Sequence, residues 1–372
     1  MTRRRSSLVL VAPIRTPIGK FGGGLAALSA ADLGVEAARA CLERSGIAPE
    51  QIDQCIFGHG RQAGGGPNTA RQIAVRAGIP VERPAFTVNQ ACGSGLQAVL
   101  SAARTILLGE AEIVLVGGTE SMSNTPYLLP RARWGQRLGH DELVDGMYRD
   151  GFNDPVSGLV MGETAEELAT DKGIGRAESD AWALQSQHRC EAARKAHRFE
   201  REIAPVQVAG KKGEITIAHD EHPRDGVTSD SLAKLAPVFR AGGTVTAGNA
   251  SGITDGAAAM LVTTEEMAKD LDLEPAALLT DWEVVGVEPR IMGIGPVPAC
   301  HKLLARLGWK LASIDQVELN EAFASQVLAC LKELPFDPAH VNPDGGAIAL
   351  GHPIGATGAR LLVTLIHGLA AH

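Results

Sequence analysis

The run Val88-Asn89-Gln90-Ala91-Cys92-Gly93-Ser94-Gly95-Leu96 places a cysteine where an apolar extended stretch gives way, through small residues, to an apolar helical pattern. A thiol at a helix N-terminus meets free backbone N–H groups and the positive end of the macrodipole, and both favour its thiolate. An isolated cysteine is more often a small core residue, but strand, glycine turn and helix in succession favour a nucleophile here. A second stretch, Gly345-Gly346-Ala347-Ile348-Ala349-Leu350-Gly351-His352-Pro353-Ile354-Gly355-Ala356-Thr357-Gly358, is so rich in small residues that it implies close backbone approach to another segment or to a ligand. Its His352 is the candidate base, since a cysteine beside a histidine is the activated pair used in acyl transfer. A third piece, Asn320-Glu321-Ala322-Phe323, ends the strand-like run Gln316 to Leu319. Asn320 there either holds a water or donates to a developing oxyanion, or simply caps a helix.

The elements that must bring these residues together alternate in type. Short β-branched runs (Val9 to Ala12, Gln54 to Gly58, Ala85 to Asn89, Ile113 to Val116) are interleaved with Ala-rich helical stretches (Ala30 to Ser45, Thr69 to Ala77, Gly95 to Leu108), the pattern of an α/β protein with buried strands. The first helix stops at Gly46, as a helix with a C-terminal glycine does. Residues 42–58, LERSGIAPEQIDQCIFG, align without gaps on 304–320, LARLGWKLASIDQVELN. Leu42, Arg44, Gly46, Ile52, Asp53 and Gln54 meet identical residues in the second copy. Gly93-Ser94-Gly95, opening one helix, is answered by Ala356-Thr357-Gly358, opening another, so the chain reads as two copies of one strand-helix unit. A pseudo-twofold arrangement of the copies would bring His352 toward Cys92; without the repeat, His352 reads as a structural histidine.

The copies divide the chain. Residues 1–120, completed by about 247–270 through the apolar run Ala257 to Val262, form one half, and 271–372 form the other. Between them, 121–246 lacks the strand-helix rhythm but carries amphipathic helices (Glu163 to Asp171, Arg176 to Arg198), an excursion of the kind that holds binding or assembly surfaces. In the first copy the helix 95–108 is followed by the strand 113–116, whereas the second copy stops at His372 directly after the helix Ala359 to Leu369, so its closing strands are expected to be missing.

Composition removes several classes. The 372 residues are 45% hydrophobic and 21% charged with a net charge of -8, enough for a sizeable core and without the basic stripe of a nucleic-acid binder. Six cysteines without Cys-x-x-Cys spacing suggest free thiols in a reducing, cytoplasmic setting. Arg3, Arg4 and Arg5 before Leu8-Val9-Leu10-Val11 resemble a secretion signal, but Pro13 and Arg15 end the apolar run too early. No stretch is expected to span a bilayer. No phosphate-binding or dinucleotide glycine motif and no His-Glu-x-x-His occurs. His219 and His222 around Asp220 and Glu221 could bind metal, though a solvated acidic loop is the plainer reading; no metal and no permanently bound cofactor are expected.

Four motifs in order, Asn89-x-x-Cys92-Gly93-Ser94-Gly95-Leu96, Gly248-Asn249-Ala250-Ser251-Gly252, Asn320-Glu321-Ala322-Phe323-Ala324 and Gly351-His352-Pro353-Ile354-Gly355, resemble thiolase, in its acetyl-CoA acetyltransferase branch. The similarity runs from about Val9 to about Leu369. It implies a thiolase-like α/β fold of two duplicated βαβαβαββ halves with an inserted loop domain that meets coenzyme A, assembled as a homodimer or homotetramer. It implies that Cys92 carries the acyl group, His352 deprotonates it, and Asn320, through a water, stabilises an enolate oxygen together with His352. Arg224, Ser231, Phe239 and Ser251 match positions that contact CoA, and Met161 matches a wall of the acyl pocket. The implied reaction is thiolytic cleavage or Claisen condensation of short-chain 3-oxoacyl-CoA, with a broader-chain 3-ketoacyl-CoA thiolase as the alternative. Val160 stands where several short-chain members have a histidine. The family also continues into a Cys-x-Gly-Gly-Gly strand whose cysteine is a second acid/base; no such segment follows here, which predicts slower acylation and weak condensation. A decarboxylating condensing enzyme and a non-catalytic CoA-binding protein are the rival readings.

Overall fold

In the computed structural model, which describes residues 7–210 and 213–370, the chain is organised around a seven-stranded mixed sheet. Arg3 to Arg5 lie outside the described residues. Five of the strands come from the first half: β1 (Leu8–Arg15), β2 (Gln54–Gly58), β3 (Ala85–Val88), β4 (Val114–Ser121) and β5 (Thr254–Thr264), with β6 (Pro275–Leu279) added at one edge. The order is β6-β1-β5-β4-β2-β3, and the two-residue strand Gly19–Lys20 pairs with the start of β5. β2 runs parallel to both β3 and β4, while β5 is antiparallel to β1 and β4.

Helices cover both faces, so the strands are apolar along their whole length rather than alternating with polar residues. Alternate side chains still divide by face. Ala257, Ala259 and Leu261 of β5 join Leu33, Ala37 and Ile73 of α1 (Ala30–Ser45) and α2 (Thr69–Arg76). Ala258, Met260 and Val262 join Ala98 and Ala102 of α3 (Ser94–Leu108) on the opposite face. α1 has both its ends fixed by local chemistry. Ser29 and Asp32 form a capping box, and Gly46 closes the last turn at φ 71°. The stretch Ala91–Leu108 is long and apolar enough to read as a membrane span on composition, contrary to the expectation that none would; as α3 it packs instead against the sheet.

The second half repeats the order of elements without the ladder. Its helices are α6 (Pro296–Leu307), α7 (Ala324–Glu333) and α8 (Ile354–Leu369). The expected strand Gln316 to Leu319 makes a single parallel bridge, Val317 to Val341. The Asn342 side chain serves as its other partner, accepting from Leu319 N–H and donating to Leu319 O, both at 2.8 Å. A strand needs a ladder partner, and among the described residues nothing pairs with this segment as β4 pairs with β2. Burial accordingly pushes the Glu318 carboxyl up to about 8, and its nearest cation, Arg360 of α8, is 3.8 Å away.

What joins the halves is the crossing of α3 and α8. A Cβ on Gly95 would lie 2.7 Å from Ala359 N, and one on Gly358 would lie 2.4 Å from Leu96 N, so the two backbones touch only because both positions are glycine.

The excursion between β4 and β5 carries α4 (Met161–Lys172) and α5 (Arg176–Lys195), the latter followed by a separate 3₁₀ turn at Arg198–Arg201 where one continuous helix was expected. It is fastened to the sheet by Arg15, fully buried at the end of β1, whose guanidinium bonds Glu202 and Asp220 at 2.6 Å each. The run His219 to His222 is therefore not a solvated loop. Asp220 is buried in that ion pair, Glu221 accepts the Gly24 N–H, and His222 Nδ1 lies 2.7 Å from Ala349 O.

Candidate active site

Cys92 sits on a strained turn between β3 and α3. Ala91 adopts φ 47°, in the left-handed region that costs a non-glycine residue roughly 1–3 kcal/mol. The turn is tied by Ser94, whose hydroxyl accepts from Gln90 N–H at 2.8 Å and donates to Ala91 O at 2.6 Å. The thiol thus lies two residues before the first residue of α3, half-buried beside Met122, Met147 and Ile354.

His352 lies on the loop leading into α8, and its Nε2 is 3.1 Å from Cys92 Sγ. Its Nδ1 is 2.7 Å from the Thr357 hydroxyl, which itself donates to Pro353 O. With its proton committed to Pro353, Thr357 accepts from Nδ1–H, which leaves the Nε2 lone pair facing the thiol. Asn320 approaches the same ring nitrogen, Nδ2 3.4 Å from Nε2, and its Oδ1 is buried without a protein partner. Its neighbour Glu321 holds the loop in place, accepting from Trp182, Ser186, Asn342 and Ile348 N–H at 2.7 to 3.1 Å.

The electrostatics depart from the expected thiolate. Burial pushes the Cys92 thiol up to about 11, with Arg61 and the local backbone N–H pulling the other way more weakly. Burial likewise pushes His352 down to about 3, aided by Arg360 and Arg61. Helix-end stabilisation is outweighed because the sulfur is packed among apolar side chains and lies short of the first helical N–H groups. The resting pair is a neutral thiol beside a neutral imidazole.

Around this pair the residues form two adjoining cavities. The inner one, about 320 Å³, is lined by Cys92, His352, Met161, Val160, Phe239 and Phe323 among others. The outer one, about 570 Å³, includes Arg224, Ser231, Gln187 and His222. Ala250, Ser251 and Ile253 line both. All five sequence-predicted ligand positions therefore fall on these two cavities: Arg224, Ser231 and Ser251 outside, Met161, Phe239 and Ser251 inside. Asn249 of the same motif points elsewhere and is structural, its amide bonding Asp180 and Thr244 O. The other five cysteines line neither cavity.

Sequence reasoning missed Glu120, Thr357 and Arg61. Glu120, wholly buried at the end of β4, accepts from Gly60, Arg61 and Gly355 N–H at 2.9 to 3.1 Å and lies 3.2 Å from His59 Nε2, so one carboxylate joins the loop after β2 to the loop that carries His352. Arg61 lines the inner cavity. A charged residue ending an apolar strand was the available signal for Glu120; Arg61 had none.

A thiol and an imidazole at the inner end of a long, two-chambered cleft define an enzyme that moves acyl groups through a cysteine thioester. Residues 8–266 match the family described as thiolase, N-terminal domain, and residues 273–372 the thiolase, C-terminal domain. An acetyl-CoA acetyltransferase of Chromobacterium violaceum is 51% identical over 361 residues, 97% of this chain and 92% of the relative. The crystal structure of the Bacillus anthracis acetyl-CoA acetyltransferase superposes with a TM-score of 0.96 at 43% identity, covering 99% of this chain and 93% of that one. Human mitochondrial 3-ketoacyl-CoA thiolase gives the same TM-score and identity, with 99% and 94% covered. The chain belongs to the thiolase family.

Proposed function

We propose that this chain is an acetyl-CoA C-acyltransferase, cleaving short-chain 3-oxoacyl-CoA with CoA and, in reverse, joining two acetyl-CoA through acyl-Cys92. The observation that carries this is the 3.1 Å approach of His352 Nε2 to Cys92 Sγ at the inner end of the paired cavities. As Sγ attacks the 3-oxo carbonyl, Nε2 takes the thiol proton. The bond between C2 and C3 then breaks, its electron pair leaves as the enolate of acetyl-CoA, and the proton held on His352 passes to the enolate carbon. His352 and Asn320 flank the position of that enolate oxygen, and the unpartnered Asn320 Oδ1 suits the acceptor of an orienting water. The sulfur of CoA then attacks the thioester as His352 Nε2 takes its proton, and that proton returns to Cys92 Sγ as the bond from the acyl carbon to Sγ breaks.

CoA fits the cleft as a long substrate, its head at the exposed Arg224 and Ser231, its tail past Ser251, and the acyl group between Met161 and Phe239. Six unpaired cysteines support a reducing, cytoplasmic setting. The free edge of β3, with exposed Val75, Val81 and Phe86 around it, supports a homodimer, and exposed Trp134 and Leu138 offer a second contact for a homotetramer.

Incubation with acetyl-CoA is expected to raise the intact mass by one acetyl group on wild type and by none on Cys92→Ala. Retention of CoA by a protein that never acquires the label would leave a non-catalytic CoA-binding protein, and carbon dioxide released from malonyl-CoA would point to a decarboxylating enzyme instead.

A further inference from the structure

Arg61 follows β2 by three residues and is 5% exposed, yet its guanidinium has no acceptor: Nε and Nη2 are buried without a hydrogen bond, and among the described residues no carboxylate is paired with it. A buried cation without a partner is expensive, and such groups ordinarily find a counter-ion. Glu120 is the nearest source of negative charge, but its two oxygens are taken by three backbone N–H groups and His59. Asp150, exposed and 3.9 Å from Arg149, lines the inner cavity and its charge acts on Arg61 without a direct ion pair. The other buried guanidinium without hydrogen bonds, Arg360, has Glu318 at 3.8 Å and lines neither cavity.

Arg61, by contrast, lines the cavity that holds Cys92. The ring centre of Phe152 is 4.8 Å from the guanidinium carbon, and Gly151 is close enough that a Cβ there would lie 2.1 Å from Nη2. Gly151 covers the Nε and Nη2 edge, which leaves Nη1 to meet a group in the cavity, where a carboxylate would accept a charge-assisted hydrogen bond from it. Of the remaining lining, Val160, Met161 and Met292 are apolar, while Asn89, Tyr148 and Asp150 carry oxygens, none of them hydrogen-bonded to Arg61.

We propose that Arg61 is a specificity-determining residue that receives the distal carboxylate of the acyl chain, so that the inner cavity takes 3-oxoacyl thioesters ending in a carboxylate in preference to those ending in a methyl group. The inference rests on the reading of that cavity as the acyl site. It supplies the missing counter-ion from the substrate, and it accounts for a cation where an acetyl group alone needs none.

Binding separates this from the chemistry. On Cys92→Ala, which cannot be acylated, adipyl-CoA and hexanoyl-CoA differ only in the group at the end of the chain, and calorimetry gives their affinities directly. Adipyl-CoA is expected to bind about 10- to 100-fold more tightly, the range of one charge-assisted pair. Adding Arg61→Leu is expected to bring the ratio to about one or below, and Arg61→Lys, which keeps the charge, to retain part of it. Matching melting temperatures among the variants guard against misfolding. Hexanoyl-CoA binding as tightly as adipyl-CoA to Cys92→Ala, or a ratio that survives Arg61→Leu, would overturn the proposal. Failure of wild type to take an acetyl label, measured separately, would count against the functional reading alone.

Discussion

One hydroxyl decides which way the proton moves at the candidate site. Because Thr357 accepts from Nδ1 of His352, the other nitrogen stays free to receive the proton of Cys92, and because both partners are buried in their neutral forms the pair is poised rather than charged. The depressed basicity of His352 is also a statement about stability. Its folded value of about 3 lies below the ordinary 6.5, so between those values the unfolded chain binds more protons. The stability contributed by the neutral imidazole is therefore complete above pH 6.5 and is lost as the pH falls toward 3. Replacing His352 by Asn removes the titration. The urea midpoint of wild type is expected to fall more steeply on acidification than that of His352→Asn. Parallel curves for the two proteins would mean that the imidazole titrates normally in the fold.

At the scale of elements, the contact between α3 and α8 places nucleophile and base, and it tolerates no side chain. Gly358→Ala sets a methyl group 2.4 Å from the Leu96 backbone nitrogen, where neither helix can yield without separating Cys92 from His352. A loss of about 1–3 kcal/mol in stability is expected from overpacking, with a fall of roughly 100-fold in the rate of Cys92 acetylation, since small displacements of reacting groups are costly. Wild-type labelling kinetics in Gly358→Ala would show that the crossing does not set the geometry. The same contact explains what the sequence concealed. The apolar cores of β1, β2 and β5 were legible as continuous β-branched and alanine runs, but β4 was read only as far as Val116, short of Gly117-Gly118-Thr119-Glu120. Those glycines are strand: a Cβ on Gly118 would lie 2.1 Å from Gly355 O, so the sheet is bare there to admit the first turn of α8. Cys92, His352 and Asn320 could be read from local pattern and repeat, and the cavity residues through resemblance. Arg61 could not, because its surroundings are made by Phe152, remote in the chain, and Glu120 showed only as a charge ending an apolar strand, its contact with Gly355 being equally remote.

On the scale of the whole molecule, the excursion that builds most of the outer cavity is held to the sheet by a buried charge cluster. Arg15→Met would leave Glu202 and Asp220 buried without their cation, and a loss of about 3–5 kcal/mol is expected in urea unfolding. A change below 1 kcal/mol would indicate that water reaches those carboxylates. The cleft itself has a consequence in time. Since Ala250, Ser251 and Ile253 form a wall common to both chambers, a thioester lying past them occupies the passage that any successor must use. Two such substrates have to queue, the first departing before the second is admitted, and an excess of either ought to slow its own turnover by crowding the shared doorway.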